Sequence, residues 1–126
     1  MALVLVIDDE PRIRKMVQHV LAAAGHSVVE AADGSAAAQL LASRRPNVVV
    51  TDILMPEADG FETIFTIRRL APTVKIVAMS GSGNNGGFDF LGMAERAGAD
   101  ATLAKPFRAA ELVAVVDRLA TDPPSA

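Results

Sequence analysis

Five short runs rich in Val, Ile and Leu punctuate the chain: Leu3–Ile7, Ser27–Ala31, Val48–Thr51, Lys75–Met79 and Ala101–Ala104. Stretches such as LVLVI and NVVVT are apolar at consecutive positions, whereas a strand with one wet face alternates apolar with polar. They predict strands covered on both faces. Between the runs the apolar residues change to a helical period. In Pro11–Ala24, Ile13, Met16, Val17, Val20, Leu21 and Ala24 share one face. Pro11 suits a first helical turn, where an N–H has no partner, and Gly25 suits the position just past the end. Further helices are predicted over Ser35–Ser43, stopped by Pro46; Gly60–Leu70, stopped by Pro72; Leu91–Ala97, stopped by Gly98; and Ala109–Ala120. The order is strand then helix, five times. Strands joined through helices run parallel with right-handed crossovers, so the pattern predicts a three-layer α/β/α sandwich around a five-stranded parallel sheet. In open sheets of this kind ligands bind beyond the carboxyl ends of the strands.

The residues at those ends differ from the strands they terminate. The first run leads into Asp8-Asp9, the third into Asp52, the fourth into Ser80 and the fifth into Lys105-Pro106. The second leads through Glu30 to Asp33-Gly34, which reads as a turn and helix cap. Carboxylates a few ångströms apart raise one another's pKa unless a cation intervenes. Asp8, Asp9 and Asp52 therefore predict a hard divalent ion held by oxygens. Mg²⁺ suits them, because it takes a few carboxylates, retains waters and pairs with phosphate. A phosphoryl group added to one carboxylate is then favoured by the metal, by the Lys105 ammonium and by a hydrogen bond from the Ser80 hydroxyl. An Asp pair after a strand is by itself more often a plain helix cap. The convergence of five such residues on one edge favours the metal-assisted site.

Composition then removes other classes. The 126 residues suffice for one domain, and 51% apolar content supplies a core. With no Cys there are no disulfides, thiolate zinc sites or cysteine nucleophiles. A net charge of −3 without a long basic run argues against a nucleic-acid surface, so Arg44-Arg45 and Arg68-Arg69 read as solvated helix ends. The longest apolar stretch, Ala2–Ile7, falls far short of the roughly 18 residues of a spanning helix and lacks a signal peptide's basic flank. A soluble, cytoplasmic protein is expected. His19 and His26 have no ligand partners in the sequence and read as exposed or partly packed. Met16, Met55, Met79 and Met93, with the Phe61, Ile64 and Phe65 set, read as packing. Trp and Tyr are both absent.

VIDDEP (Val6–Pro11), DILMPEADG (Asp52–Gly60), Met79-Ser80-Gly81, GADATLAKPF (Gly98–Phe107) and the final helix with Glu111-Leu112 together resemble the response-regulator receiver domain of two-component signalling. The resemblance runs from about Leu3 to Leu119. It implies a flavodoxin-like fold with strand order 2-1-3-4-5, for which the chemotaxis receiver is the known example. It also implies that Asp52 accepts a phosphoryl group from a phosphohistidine on a histidine kinase or a histidine phosphotransfer protein. By the same resemblance, Asp9, Asp52 and the backbone carbonyl of Leu54 bind Mg²⁺, while Asp8 acts mainly through a water. Ser80 contacts the phosphoryl group as the switch hydroxyl, Lys105 pairs with it, and Pro106 follows a cis peptide bond. Side chains at Leu54 and Ser82 tune dephosphorylation. Such a protein catalyses only its own phosphorylation and dephosphorylation.

Two features depart from the family pattern. Thr102 stands where the family carries Tyr or Phe, so the relay from switch hydroxyl to ring has no ring. The link from Ser80 to Gly98 is longer than usual and reads GSGNNGGFDF, and its ordering on phosphorylation is expected to replace that relay. The receiver is expected to fill residues 1–120 as a monomer or weak dimer, with a disordered tail over 121–126 and no output domain. Output is then a protein contact, with a target the sequence does not name, through the face formed by Leu91–Ala97, Ala101–Ala104 and Ala109–Ala120, while the first helix docks the kinase.

Three other readings compete with this one. Gly81–Gly86 spells G-x-G-x-x-G, yet it follows the fourth strand, and the next strand ends in Lys105-Pro106 rather than in an acid for a ribose, against dinucleotide binding. A haloacid-dehalogenase-like phosphatase needs an Asp two places after Asp52, where Leu54 stands. The alternative is a receiver-shaped interaction module that is never phosphorylated.

Overall fold

Each apolar run becomes a strand: β1 (Leu3–Ile7), β2 (Ser27–Ala31), β3 (Val48–Asp52), β6 (Lys75–Ser80) and β7 (Ala101–Ala104). They form one parallel sheet in the order β2-β1-β3-β6-β7. Counting these five alone, the order is the 2-1-3-4-5 implied by the resemblance. A two-stranded antiparallel hairpin, β4 (Leu54–Met55) with β5 (Ala58–Asp59), follows β3. The computed structural model describes residues 2–52, 54–55, 58–80 and 95–121, with 54–55 and 58–62 followed through the backbone alone.

Consecutive residues of a strand point to opposite faces. That is why the central strands are apolar at consecutive positions through their middles. Leu5, Ile7, Val49, Ile76 and Ala78 face one layer with Leu41, Ile64 and Ile67, which come from α2 (Gly34–Arg44) and α3 (Gly60–Leu70). Val4, Val6, Val48, Val50, Val77 and Met79 face the other, against Val17 and Leu21 of α1 (Pro11–Ala23) and Leu112, Val116 and Leu119 of α4 (Ala109–Thr121). The edge strand β2 departs from the expectation of two covered faces. Ser27 is exposed and Val28, Val29 and Glu30 are half-buried, because among the described residues no strand pairs with its outer side.

Local chemistry sets the helix ends. Pro11 occupies the first turn of α1, and Gly25, at φ +98°, turns the chain after it, where His26 N–H donates to the Leu21 carbonyl at 3.0 Å. Asp33 caps α2 by accepting from the Ala36 N–H at 2.9 Å. Glu111 reaches back to the Arg108 N–H at 2.9 Å and closes the start of α4. Of the helix expected over 91–97, residues 95–97 are helical, and 91–94 lie outside the described residues. Among the described residues, no helix is long and apolar enough to cross a membrane.

Four side chains sit otherwise than the sequence suggests. Arg68 is no solvated helix end: its guanidinium donates to the carbonyls of Pro72, Val74 and Gly98 and to the Asp100 carboxylate, at 2.7 to 2.9 Å. His26 is buried, accepting from the Ala2 N–H at Nδ1 (3.1 Å), which leaves Nε2 to donate to Asp117 Oδ1 (2.6 Å). Phe65 is 59% exposed, because Ile64 and Ile67 take the core face of α3 and the next residue round points away. Met16 is also exposed, whereas Met79 is fully buried. Met93 and the side chains of Met55 and Phe61 lie outside the described residues.

Candidate functional site

Parallel pairing brings the strand ends to one edge. Ile7 pairs with Thr51, Asp52 with Met79, and Ser80 with Ala104. Asp8, the residue after Ile7, therefore lies beside Asp52, and Lys105 follows Ala104 beside Ser80. The Lys105 N–H fastens this end by donating to the Ser80 carbonyl at 2.7 Å. Asp8, Asp52 and Ser80 are buried, while Asp9 is exposed.

The side chains converge as the backbone requires. Lys105 Nζ lies 3.0 Å from Asp52 Oδ2 and 3.3 Å from Asp8 Oδ2. Asp8, Asp9 and Asp52 each present a carboxylate oxygen, and these oxygens all lie within 4.8 Å of one another. Burial pushes the Asp8 carboxyl above the ordinary carboxylate value, helped by the charge of Asp52 and opposed by the Glu10 N–H and Lys105. For Lys105, burial is the largest single influence and favours the neutral amine. The hydrogen bond and charge of Asp52, with the charge of Asp8, outweigh it and hold the ammonium above the ordinary lysine value. Asp8 and Asp52 thus share one ammonium, and Asp9 completes the carboxylate cluster on the open side. Hard oxygen donors packed this closely fit a divalent cation that keeps part of its water shell.

Other expected residues lie where the backbone carries them. Leu54 opens the hairpin that follows β3, opposite Asp59. The Lys105–Pro106 peptide bond is cis. Thr102 is half-buried in β7 opposite Ala78. Beside Lys105, an open apolar groove of about 350 Å³ is lined by Ile13, Met16, Pro106 and Phe107. Ser82, the G-x-G-x-x-G stretch and the Gly/Asn-rich segment expected to replace the ring lie outside the described residues.

Sequence reasoning missed Arg14 and Glu30. Arg14 Nη1 donates to the Asp8 carbonyl at 2.7 Å, and its Nε meets Glu30 Oε1 at 3.3 Å. The available signal was directional: helix side chains lean toward the N-terminus, so a long one in the first turns of α1 reaches back to the strand ends.

The family model described as response regulator receiver domain matches residues 4–117. The chain belongs to that family. Its relatives include the nitrogen assimilation regulatory protein NtrX of Azorhizobium caulinodans, 36% identical over 117 residues that cover 91% of this chain and 25% of that protein. The chemotaxis protein CheY of Thermotoga maritima is 31% identical over 117 residues, covering 92% of this chain and 95% of CheY. The crystal structure of the NtrX receiver domain from Brucella abortus superposes with a TM-score of 0.86 at 32% identity, over 94% of this chain and 99% of that one. The chain spans only 25%, 26% and 47% of the first three regulatory proteins it matches. A receiver domain is a phosphoacceptor signalling module with a flavodoxin-like fold, working with histidine kinases and downstream targets. Receiver domains bind Mg²⁺ through an acidic pocket, and this receiver brings together the acids for one.

Proposed function

We propose that Asp52 of this receiver accepts the phosphoryl group of a phosphohistidine carried by a histidine kinase or a histidine phosphotransfer protein. The observation that carries the reading is the placement of Lys105 Nζ between Asp52 (3.0 Å) and Asp8 (3.3 Å), beside the three clustered carboxylates. In the transfer, an Asp52 carboxylate oxygen bonds to phosphorus while the phosphorus–nitrogen bond breaks. The bonding pair stays with the imidazole nitrogen, and the product is an aspartyl phosphate.

Asp9, Asp52 and the Leu54 carbonyl would hold Mg²⁺, with Asp8 acting through water. When bound, Mg²⁺ supplies positive charge that offsets the phosphoryl oxygens. Lys105, already paired to Asp52, moves its charge-assisted hydrogen bond to a phosphoryl oxygen. Ser80, ending β6, donates its hydroxyl to the same group. Phosphorylation adds about −1.5 to −2 charge at one point, and it shifts the fold only by favouring one of two conformations. The readout is a contact with a downstream protein in the cytoplasm.

The test is treatment of the pure chain with acetyl phosphate and Mg²⁺, read by intact mass. A gain of one phosphoryl group that disappears in Asp52→Ala supports the acceptor role. No gain in the wild-type chain overturns it and leaves an interaction module that is never phosphorylated.

A further inference from the structure

Asp8 is tied at its amide, its side chain and its carbonyl. Its N–H donates to the Ala31 carbonyl at 3.1 Å, and its Oδ1 accepts from the Glu10 N–H at 2.9 Å. Its Oδ2 faces Lys105. Its carbonyl accepts from Arg14, through the shortest of these bonds and the one made by a charged donor on a neighbouring helix (2.7 Å). The Arg14 side chain is 17% exposed, and Glu30 at the end of β2 holds its Nε.

A peptide group is planar, so fixing the Asp8 carbonyl fixes the plane that also carries the Asp9 N–H and leads to the Asp9 Cα. Asp9 is the exposed member of the carboxylate cluster. It has the most freedom to swing away. We infer that Arg14 is a positioning residue for the cation site: it sets the Asp8–Asp9 peptide so that the Asp9 carboxylate meets those of Asp8 and Asp52, and Glu30 orients Arg14. This rests on the site reading given above.

The chemistry of the side chain suits the task. A guanidinium presents its N–H groups in a rigid planar fork and can serve the Asp8 carbonyl and the Glu30 carboxylate at once. A lysine ammonium supplies the charge without the fork. Arg14 is also a cation beside a cation site, and on charge alone it repels Mg²⁺. Positioning and repulsion therefore predict opposite signs when the guanidinium is removed.

The experiment measures Mg²⁺ affinity by calorimetry on the full chain and on Arg14→Met, Arg14→Lys and Glu30→Gln, with thermal unfolding of each metal-free protein alongside. Partners that orient metal ligands are worth about 10- to 100-fold in affinity. The expected result is a loss of roughly tenfold in Arg14→Met and in Arg14→Lys, with Glu30→Gln, which keeps an acceptor, nearest to wild type. Phosphorylation by acetyl phosphate should slow in both Arg14 variants at low Mg²⁺ and recover at saturating Mg²⁺, a split that a general loss of structure does not produce. Should Arg14→Met fail to fold, Arg14→Lys decides alone. Mg²⁺ binding at wild-type strength or tighter in the Arg14 variants overturns this inference only. Absence of Mg²⁺ binding by the wild-type chain overturns the site reading, and this inference with it.

Discussion

Asp8 and Lys105 shift the same way within one ion pair, and each weakens the fold as pH rises, in a different pH window. Burial, followed by the charge of Asp52, raises the Asp8 carboxyl, so the folded chain holds this proton more tightly than the unfolded chain does. Its contribution to stability is therefore greatest in acid and declines as pH rises from the ordinary carboxylate range through the raised folded value. Asp8→Asn keeps an oxygen for the Glu10 N–H and cannot ionise. Urea titrations without metal should show the variant level with wild type in acid and more stable at pH 7. A gap that does not widen with pH would assign the ionisation elsewhere. The raised Lys105 ammonium has the same sign in a more alkaline window: its stabilisation is complete below the unfolded lysine pKa and is lost as pH climbs through the higher folded value. Lys105→Met leaves Asp8 and Asp52 facing each other without this cation. At pH 7 the expected cost is about 2 kcal/mol, below the roughly 3–5 kcal/mol for a fully buried pair, because Lys105 retains some exposure. Its measure is the metal-free urea midpoint.

At the scale of elements, α3 and the turns around it are joined by one side chain. Arg68 ties the α3–β6 turn to the entry of β7, and the Asp100 oxygen that receives it also accepts the Ile76 N–H at 2.8 Å. Neighbouring Arg69 is exposed. Arg68→Met should therefore cost about 2 kcal/mol, from carbonyls and a carboxylate left short of donors, while Arg69→Met stays within about 0.5 kcal/mol. Equal denaturant midpoints for the two variants would refute the distinction. The sequence shows two adjacent arginines near a proline stop and cannot tell them apart, because the difference is which way each points once β7 is packed. The strands were legible for the opposite reason. Val4, Val6, Val48 and Val50 are apolar regardless of partner, and continuous burial leaves its mark on every position. The edge strands β2 and β7 read as more covered than they are, with Ser27 and Ala104 exposed, since an edge position depends on what pairs beside it.

For the whole molecule, the parallel topology made the site readable. When every strand runs the same way, every carboxyl end reaches the same edge, so Asp8, Asp52, Ser80 and Lys105 could be brought to one edge from strand direction. What stayed hidden are cross-links set by packing: Arg14 to the Asp8 carbonyl across 6 positions, Arg68 to Asp100 across 32, and His26 to Asp117 across 91. The same edge gathers like charge, three clustered carboxylates of which two are paired to one ammonium. A bound divalent cation relieves that repulsion only in the folded state, because the unfolded chain separates the three acids. Mg²⁺ at ten times its dissociation constant should therefore add about 1.4 kcal/mol of stability, a rise in Tm of roughly 5 °C for a domain of this size. Asp52→Asn should lose most of that rise, and NaCl at matched ionic strength should reproduce little of it. If NaCl matches Mg²⁺ in the wild-type chain, screening explains the effect and the carboxylates do not form a cation site.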